Sequence, residues 1–140
     1  MRVKIKRIDK NLPLPKYETE GSVAFDCVAR ETVEIPPRAV GRVPLNIVVE
    51  IPAGFMLMLK DRSGTMKKKG LISSLGFIDQ DYCGENDEIM KQFYNPQDAP
   101  VVIERGERLA QASFVRIETA EWEEVEKMEK KNRGGFGSTG

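Results

Sequence analysis

Apolar and polar residues alternate along this chain in short runs broken by turn residues, the pattern of an all-β domain. Met1, Val3 and Ile5 alternate with Arg2, Lys4 and Lys6. Residues 23–29 and 32–35 predict short strands, the second stopped by Pro36-Pro37. Residues 43–51 predict a longer strand ending at Pro52-Ala53-Gly54, and 55–59 are almost wholly apolar, predicting a strand buried on both faces. A hairpin is predicted over 76–85, then strands at 88–95, 101–104 and 109–117, with Gly106 turning the last two into a second hairpin. The stretch 121–131 departs from this. Trp122, Val125 and Met128 recur every third residue among Glu and Lys, an amphipathic helix pattern, but the glycines that follow leave an extended segment equally open. Many short strands in one small chain predict a closed barrel or distorted jelly roll, which hides its sheet edges. Residues 1–130 are expected to form that single domain, and 131–140 a flexible glycine-rich C-terminal arm.

Composition narrows the chemistry. With 140 residues the chain can bury roughly two-thirds of its unfolded surface. Its 22 basic and 22 acidic residues cancel, which argues against a general nucleic-acid binder. No apolar run reaches the ~18 residues of a membrane span. Cys27 and Cys83 form no CxxC pair and predict free thiols in a reducing cytoplasm. Histidine is absent, which removes Ser-His and Cys-His mechanisms and leaves acid–base work to carboxylates, Lys, Tyr or metal-bound water.

Four segments carry candidate chemistry. In GFIDQDYCGE, from Gly76 to Glu85, Asp79 and Asp81 stand two positions apart, on one face if the segment is a strand. With Tyr82 behind them they suit a small polar ligand and an activated water. Arg62-Ser63-Gly64 offers a planar fork for phosphate oxygens, a hydroxyl donor and a close backbone approach, though such a trio also occurs in ordinary loops. The run Lys67-Lys68-Lys69 behind it either steers an anion or is a solvated loop. In the tail RGGFGSTG, from Arg133 to Gly140, glycines let successive backbone N–H groups converge on phosphate. Ser138 and Thr139 add donors there and Phe136 a stacking ring. No Lys follows these glycines, so this is not a Walker A loop.

Three of these segments, with two more, resemble the five motifs of the homotrimeric dUTPase family, the dUTP diphosphatases, over residues 21–140. The first is Ala24-Phe25-Asp26-Cys27-Val28-Ala29, where the family more often has Gly at Ala24 and Leu at Cys27. The resemblance implies that Asp26 helps hold Mg²⁺ through its water shell. Arg62, Ser63 and Gly64 match the triphosphate-binding motif, with Thr65-Met66 in place of the usual Leu-Ala. The hairpin around Asp79 matches the third motif: Asp79 would orient and deprotonate the attacking water and Tyr82 would pack on the deoxyribose. The backbone of Gly76, Phe77 and Ile78 would read the uracil edge. Gly106-Glu107-Arg108-Leu109-Ala110-Gln111 matches the fourth, implying that Gln111 holds a phosphate oxygen or metal-bound water and that Arg108 pairs across a subunit interface. The tail matches the fifth, placing Arg133, Phe136, Gly137, Ser138 and Thr139 on the nucleotide. Arg133 stands three residues before Phe136, whereas many members place it five before, where this chain has Lys131. Residues 85–95 run about three residues longer than in better-known members, which predicts a longer turn or bulge.

The resemblance implies a Mg²⁺-dependent dUTP diphosphatase giving dUMP and pyrophosphate. It would act as a cytoplasmic homotrimer whose active sites are shared between subunits, with no nucleic-acid or membrane partner. Two alternatives stay open: a dCTP deaminase relative, perhaps bifunctional, and a trimer that binds dUTP for regulation without turnover.

Overall fold

The computed structural model describes residues 1–135. Among them lie ten β-strands and one five-residue helix. A four-stranded antiparallel sheet forms the body, in the order β2 (Phe25–Val28), β10 (Arg108–Arg116), β6 (Phe55–Asp61), β7 (Gly76–Ile78). Three two-stranded antiparallel ladders close around it: β1 (Ile5–Arg7) with β5 (Ile47–Val49), β3 (Val33–Ile35) with β9 (Val101–Ile103), and β4 (Val40–Pro44) with β8 (Met90–Tyr94). Every pairing except β6 with β7 joins strands far apart in sequence, the wiring of a jelly roll.

Register decides which side chains share a face. Phe25 and Cys27 of β2, Ala110 and Ala112 of β10, and Leu57 and Leu59 of β6 turn inward. There they meet Ile35, Leu45, Phe93, Ile103 and Leu109 in one continuous core. Fully burying each large aliphatic or aromatic side chain contributes about 1.5–3 kcal/mol. The opposite face carries Asp26, Gln111, Lys60, Ser113, Met58 and Phe77. The sheet is therefore one-sided: Phe55, Met56 and Met58 are only half-buried, and β6 is not sandwiched on both faces as its apolar run suggested.

Four further expectations are corrected. The strand expected over 43–51 is cut in two, because Asn46 adopts φ 66. This wholly buried residue donates its backbone N–H to Glu88 Oε1 at 2.8 Å. Its amide also exchanges hydrogen bonds with the backbone of Asp9. Gly106, at φ 83, does turn the chain, but β9 leaves to pair β3 while β10 pairs β2 and β6, so no second hairpin forms. The Lys67–Lys69 run is not a loop but part of helix α1 (Thr65–Lys69), ended by Gly70 in the left-handed region. Finally, of the two forms left open for 121–131 the helix does not form: the segment is irregular, and Trp122 is 93% exposed. A third-residue apolar period builds a helix only where its stripe has something to pack against.

Candidate active site

Two separate regions hold the residues the motifs single out. The first lies on the outer face of the large sheet. Gln111 of β10 sits directly opposite Asp26 of β2 on one side and Lys60 of β6 on the other. Arg62 leaves the end of β6, its backbone N–H donating to Leu109 O at 3.2 Å. The buried Thr65 hydroxyl donates to the same carbonyl at 2.8 Å, so the Thr that departs from the family pattern pins the 62–64 loop to β10. Asp26, Arg62, Ser63 and Gln111 thereby line one cavity of about 200 Å³, with Glu18, Ser22 and Ala24. Gly64 lines an adjoining cavity of about 180 Å³ with Arg62, Lys68, Lys69 and Arg108.

Charge in this region is arranged as a chain. The Asp26 carboxylate, 11% exposed, forms an ion pair with Arg62 Nε at 2.9 Å and accepts from Arg108 Nη1 at 3.3 Å. Arg108 also pairs with Glu18 at 2.9 Å. Arg108 thus finds its carboxylates within its own chain. Gln111 Nε2 donates to Asp61 O at 3.3 Å, and the residue lines the cavity. Among the described residues no three His, Cys, Asp or Glu side chains gather as a metal cage. The two carboxylates of this cavity, Asp26 and Glu18, fit Mg²⁺, which keeps several waters and takes one or two carboxylates plus substrate phosphates.

The second region is the acidic turn. β7 forms only the first arm of the expected hairpin; the chain then turns, with Tyr82 N–H donating to Asp79 O at 3.3 Å, and no return strand follows. Asp79 and Asp81 are exposed turn residues, not neighbours on a strand face. The Tyr82 hydroxyl donates to Glu88 O at 3.1 Å, which holds the ring side-on to the turn. Gly84 to Glu88 form a turn before β8, with Gly84 N–H donating to Asp87 Oδ2 at 2.6 Å. Phe77 points outward and is 58% exposed. β7 is an edge strand, so the outer rim of Gly76, Phe77 and Ile78 offers backbone groups to a ligand.

The two regions do not meet within one subunit. In the antiparallel ladder Leu59 faces Gly76 and Leu57 faces Ile78, so Asp79 continues toward Met56 while Arg62 lies at the opposite end of β6. Six positions of strand separate them, roughly 20 Å at ~3.3 Å per residue. None of Gly76, Phe77, Ile78, Asp79 or Tyr82 lines the cavities around Arg62. Arg133 is exposed in the irregular C-terminal segment, and Phe136, Gly137, Ser138 and Thr139 lie outside the described residues. Glu18 and Ser22 escaped the sequence reading because only the folding of the N-terminal loop brings them to Asp26.

The dUTPase family model matches residues 10–140. The chain is 38% identical to a deoxyuridine 5'-triphosphate nucleotidohydrolase of Dictyoglomus turgidum, over 100% of this chain and 99% of that protein. It is 38% identical to the enzyme of that name from Helicobacter pylori, over 100% of this chain and 97% of that one. Its fold superposes on a Staphylococcus bacteriophage 80alpha dUTPase solved with dUPNHPP at a TM-score of 0.87 and 26% identity, covering 99% and 98% of the two chains. A Streptococcus mutans dUTPase matches at a TM-score of 0.77 and 35% identity, over 84% of this chain and 98% of that one. The chain belongs to the dUTPase family.

Proposed function

We propose that this protein hydrolyses dUTP to dUMP and pyrophosphate with Mg²⁺, as a homotrimer in which each site takes its phosphate-binding cluster from one subunit and its acidic turn from another. The observation that carries this reading is the separation just described. A triphosphate cluster without a base and a base without a phosphate cluster sit at opposite ends of one strand, and a neighbouring copy supplies each with its missing half. The surface supports assembly too: Val40, Ile72, Phe77 and Tyr94 are exposed on the barrel and Trp122, Val125 and Met128 on the C-terminal segment, apolar groups that a partner would cover.

In this reading Arg62 forks onto phosphate oxygens, Ser63 donates its hydroxyl, and Gly64 lets the backbone close in. The Asp26 carboxylate orients the Arg62 guanidinium and, with Gln111, would hold the water shell of Mg²⁺. When bound, the cation neutralises charge on the phosphates and on the departing pyrophosphate. Asp79 of a neighbouring subunit accepts a proton from the water that attacks the α-phosphorus in line, and the bond to the bridging oxygen of pyrophosphate breaks. Tyr82 lies against the deoxyribose, leaving no room for a 2′-hydroxyl, and the open edge of β7 reads the uracil. Residues 1–130 make one domain whose barrel strands end at Arg116, and the arm 131–140, with Arg133, Phe136, Gly137, Ser138 and Thr139, closes over the nucleotide. Such an enzyme keeps uracil out of DNA and supplies dUMP for thymidylate synthesis. A cytoplasmic setting accords with two free thiols and with no helix long and apolar enough to cross a membrane among the described residues.

The test is pyrophosphate release from dUTP with Mg²⁺, run beside dCTP, dTTP and UTP. Turnover of dUTP alone is expected. Ammonia release from dCTP would move the protein to the deaminase branch, and tight dUTP binding without pyrophosphate would make it a regulatory binder.

A further inference from the structure

One charged side chain stands where strand alternation calls for an apolar one. On β8 the inward positions are Lys91 and Phe93, and the Lys91 side chain is 3% exposed. Burial pushes its ammonium below the usual lysine range, against the opposing pull of Asp61. The Nζ atom lies 3.4 Å from Asp61 Oδ1 and donates a hydrogen bond to Ser74 O. The same Asp61 carboxylate oxygen accepts from the Ser73 hydroxyl, while the Asp61 carbonyl accepts from Gln111 Nε2. A charge taken out of water this far needs partners, and here the partners are the two functional segments themselves. Asp61 immediately precedes Arg62, and Ser74 lies two residues before Gly76, where β7 sets out toward Asp79.

We infer that Lys91 is a positioning residue: through Asp61 and Ser74 it locks the phosphate-binding loop 62–64, Gln111 and the start of β7, the strand that leads to the acidic turn, into one rigid unit. The inference rests on the activity proposed above. In a trimer, the loop and the turn of one chain serve different sites, so the lock sets the geometry at both. A looser lock leaves ground-state binding to the many phosphate and base groups that remain. It blurs the approach of water to phosphorus, where even a 1 Å misplacement is costly.

The test pairs Lys91→Met with Asp61→Asn in one chain, which removes both charges together and keeps the volumes close. Circular dichroism and sedimentation establish that the variant folds and assembles. The expected result is a kcat for dUTP reduced by about tenfold to a hundredfold with KM moved by less than about threefold. Amide exchange should accelerate at 62–64 and 74–76 and stay unchanged in β3 and β9. A kcat within about twofold of the parent, or faster exchange spread evenly through the barrel, overturns the inference. If the parent protein itself does not turn over dUTP, the activity reading fails, and the pattern of amide exchange decides the lock by itself.

Discussion

At the scale of single residues, the roles divide by whether neighbours in sequence or in space create them. Asp79 is exposed in its own subunit, so its burden is chemical and not structural. Asp79→Asn should keep the fold and melting temperature while lowering kcat by about 10²–10⁴, the usual contribution of a general base, as read from initial rates of pyrophosphate release. The two thiols should separate in the opposite sense. Burial pushes the Cys27 thiol up to about 12 from an ordinary 9.0, with the Asp26 charge adding to the effect. A folded-state value raised in this way gives stability that is complete below about pH 9 and lost as pH climbs toward 12, by up to about 1.4 kcal/mol per pH unit. Denaturant midpoints between pH 8 and pH 10.5 should therefore fall more steeply for the parent than for Cys27→Ala, and Cys83 should react first with a thiol reagent. Asp26, Arg62, Ser63 and Gln111 were legible in the sequence because each sits inside a motif of fixed spacing. Glu18, Thr65 and Lys91 were not, since each acts through a partner 8 or more positions away that only the folded barrel supplies.

At the scale of elements, the short-period alternation placed the strands well and their joints poorly. Strand interiors obey a local period of two, whereas joints depend on special backbone angles and distant hydrogen bonds. Asn46 shows the difference: its positive φ is held by Glu88 and Asp9, far away in sequence. Asn46→Ala keeps the backbone bond to Glu88 but strips both side-chain bonds to Asp9, and should cost about 1–3 kcal/mol in equilibrium unfolding, with the unpaired Asp9 groups as the main term. Gly41 is a steric case, because an added Cβ would lie 2.6 Å from Cγ1 of the wholly buried Ile35. Gly76 is different again. An added Cβ there meets Leu59 only at an ordinary 3.5 Å, so the fold does not demand glycine. Gly76→Ala should melt with the parent yet bind dUTP more weakly, because the open edge of β7 is then narrowed. Equal affinity in calorimetry would remove β7 from the base-reading role.

At the scale of the whole molecule, the all-β jelly roll was legible from strand count and turn spacing, and the family from five motifs in order. The division of the site was not legible as geometry: motifs adjacent in a linear reading end roughly 20 Å apart because β6 and β7 run antiparallel. The exposed Trp122 and the irregular segment around it belong to the same level. The most direct measurement is therefore subunit complementation. Arg62→Ala and Asp79→Asn chains, each inactive on its own, are co-refolded into mixed trimers and assayed for pyrophosphate release from dUTP. Recovery of activity in the mixture is expected, because some sites then draw an intact Arg62 and an intact Asp79 from different chains. A mixture no more active than its two parents, with mixed trimers confirmed by native mass spectrometry, would mean that each chain builds its site alone.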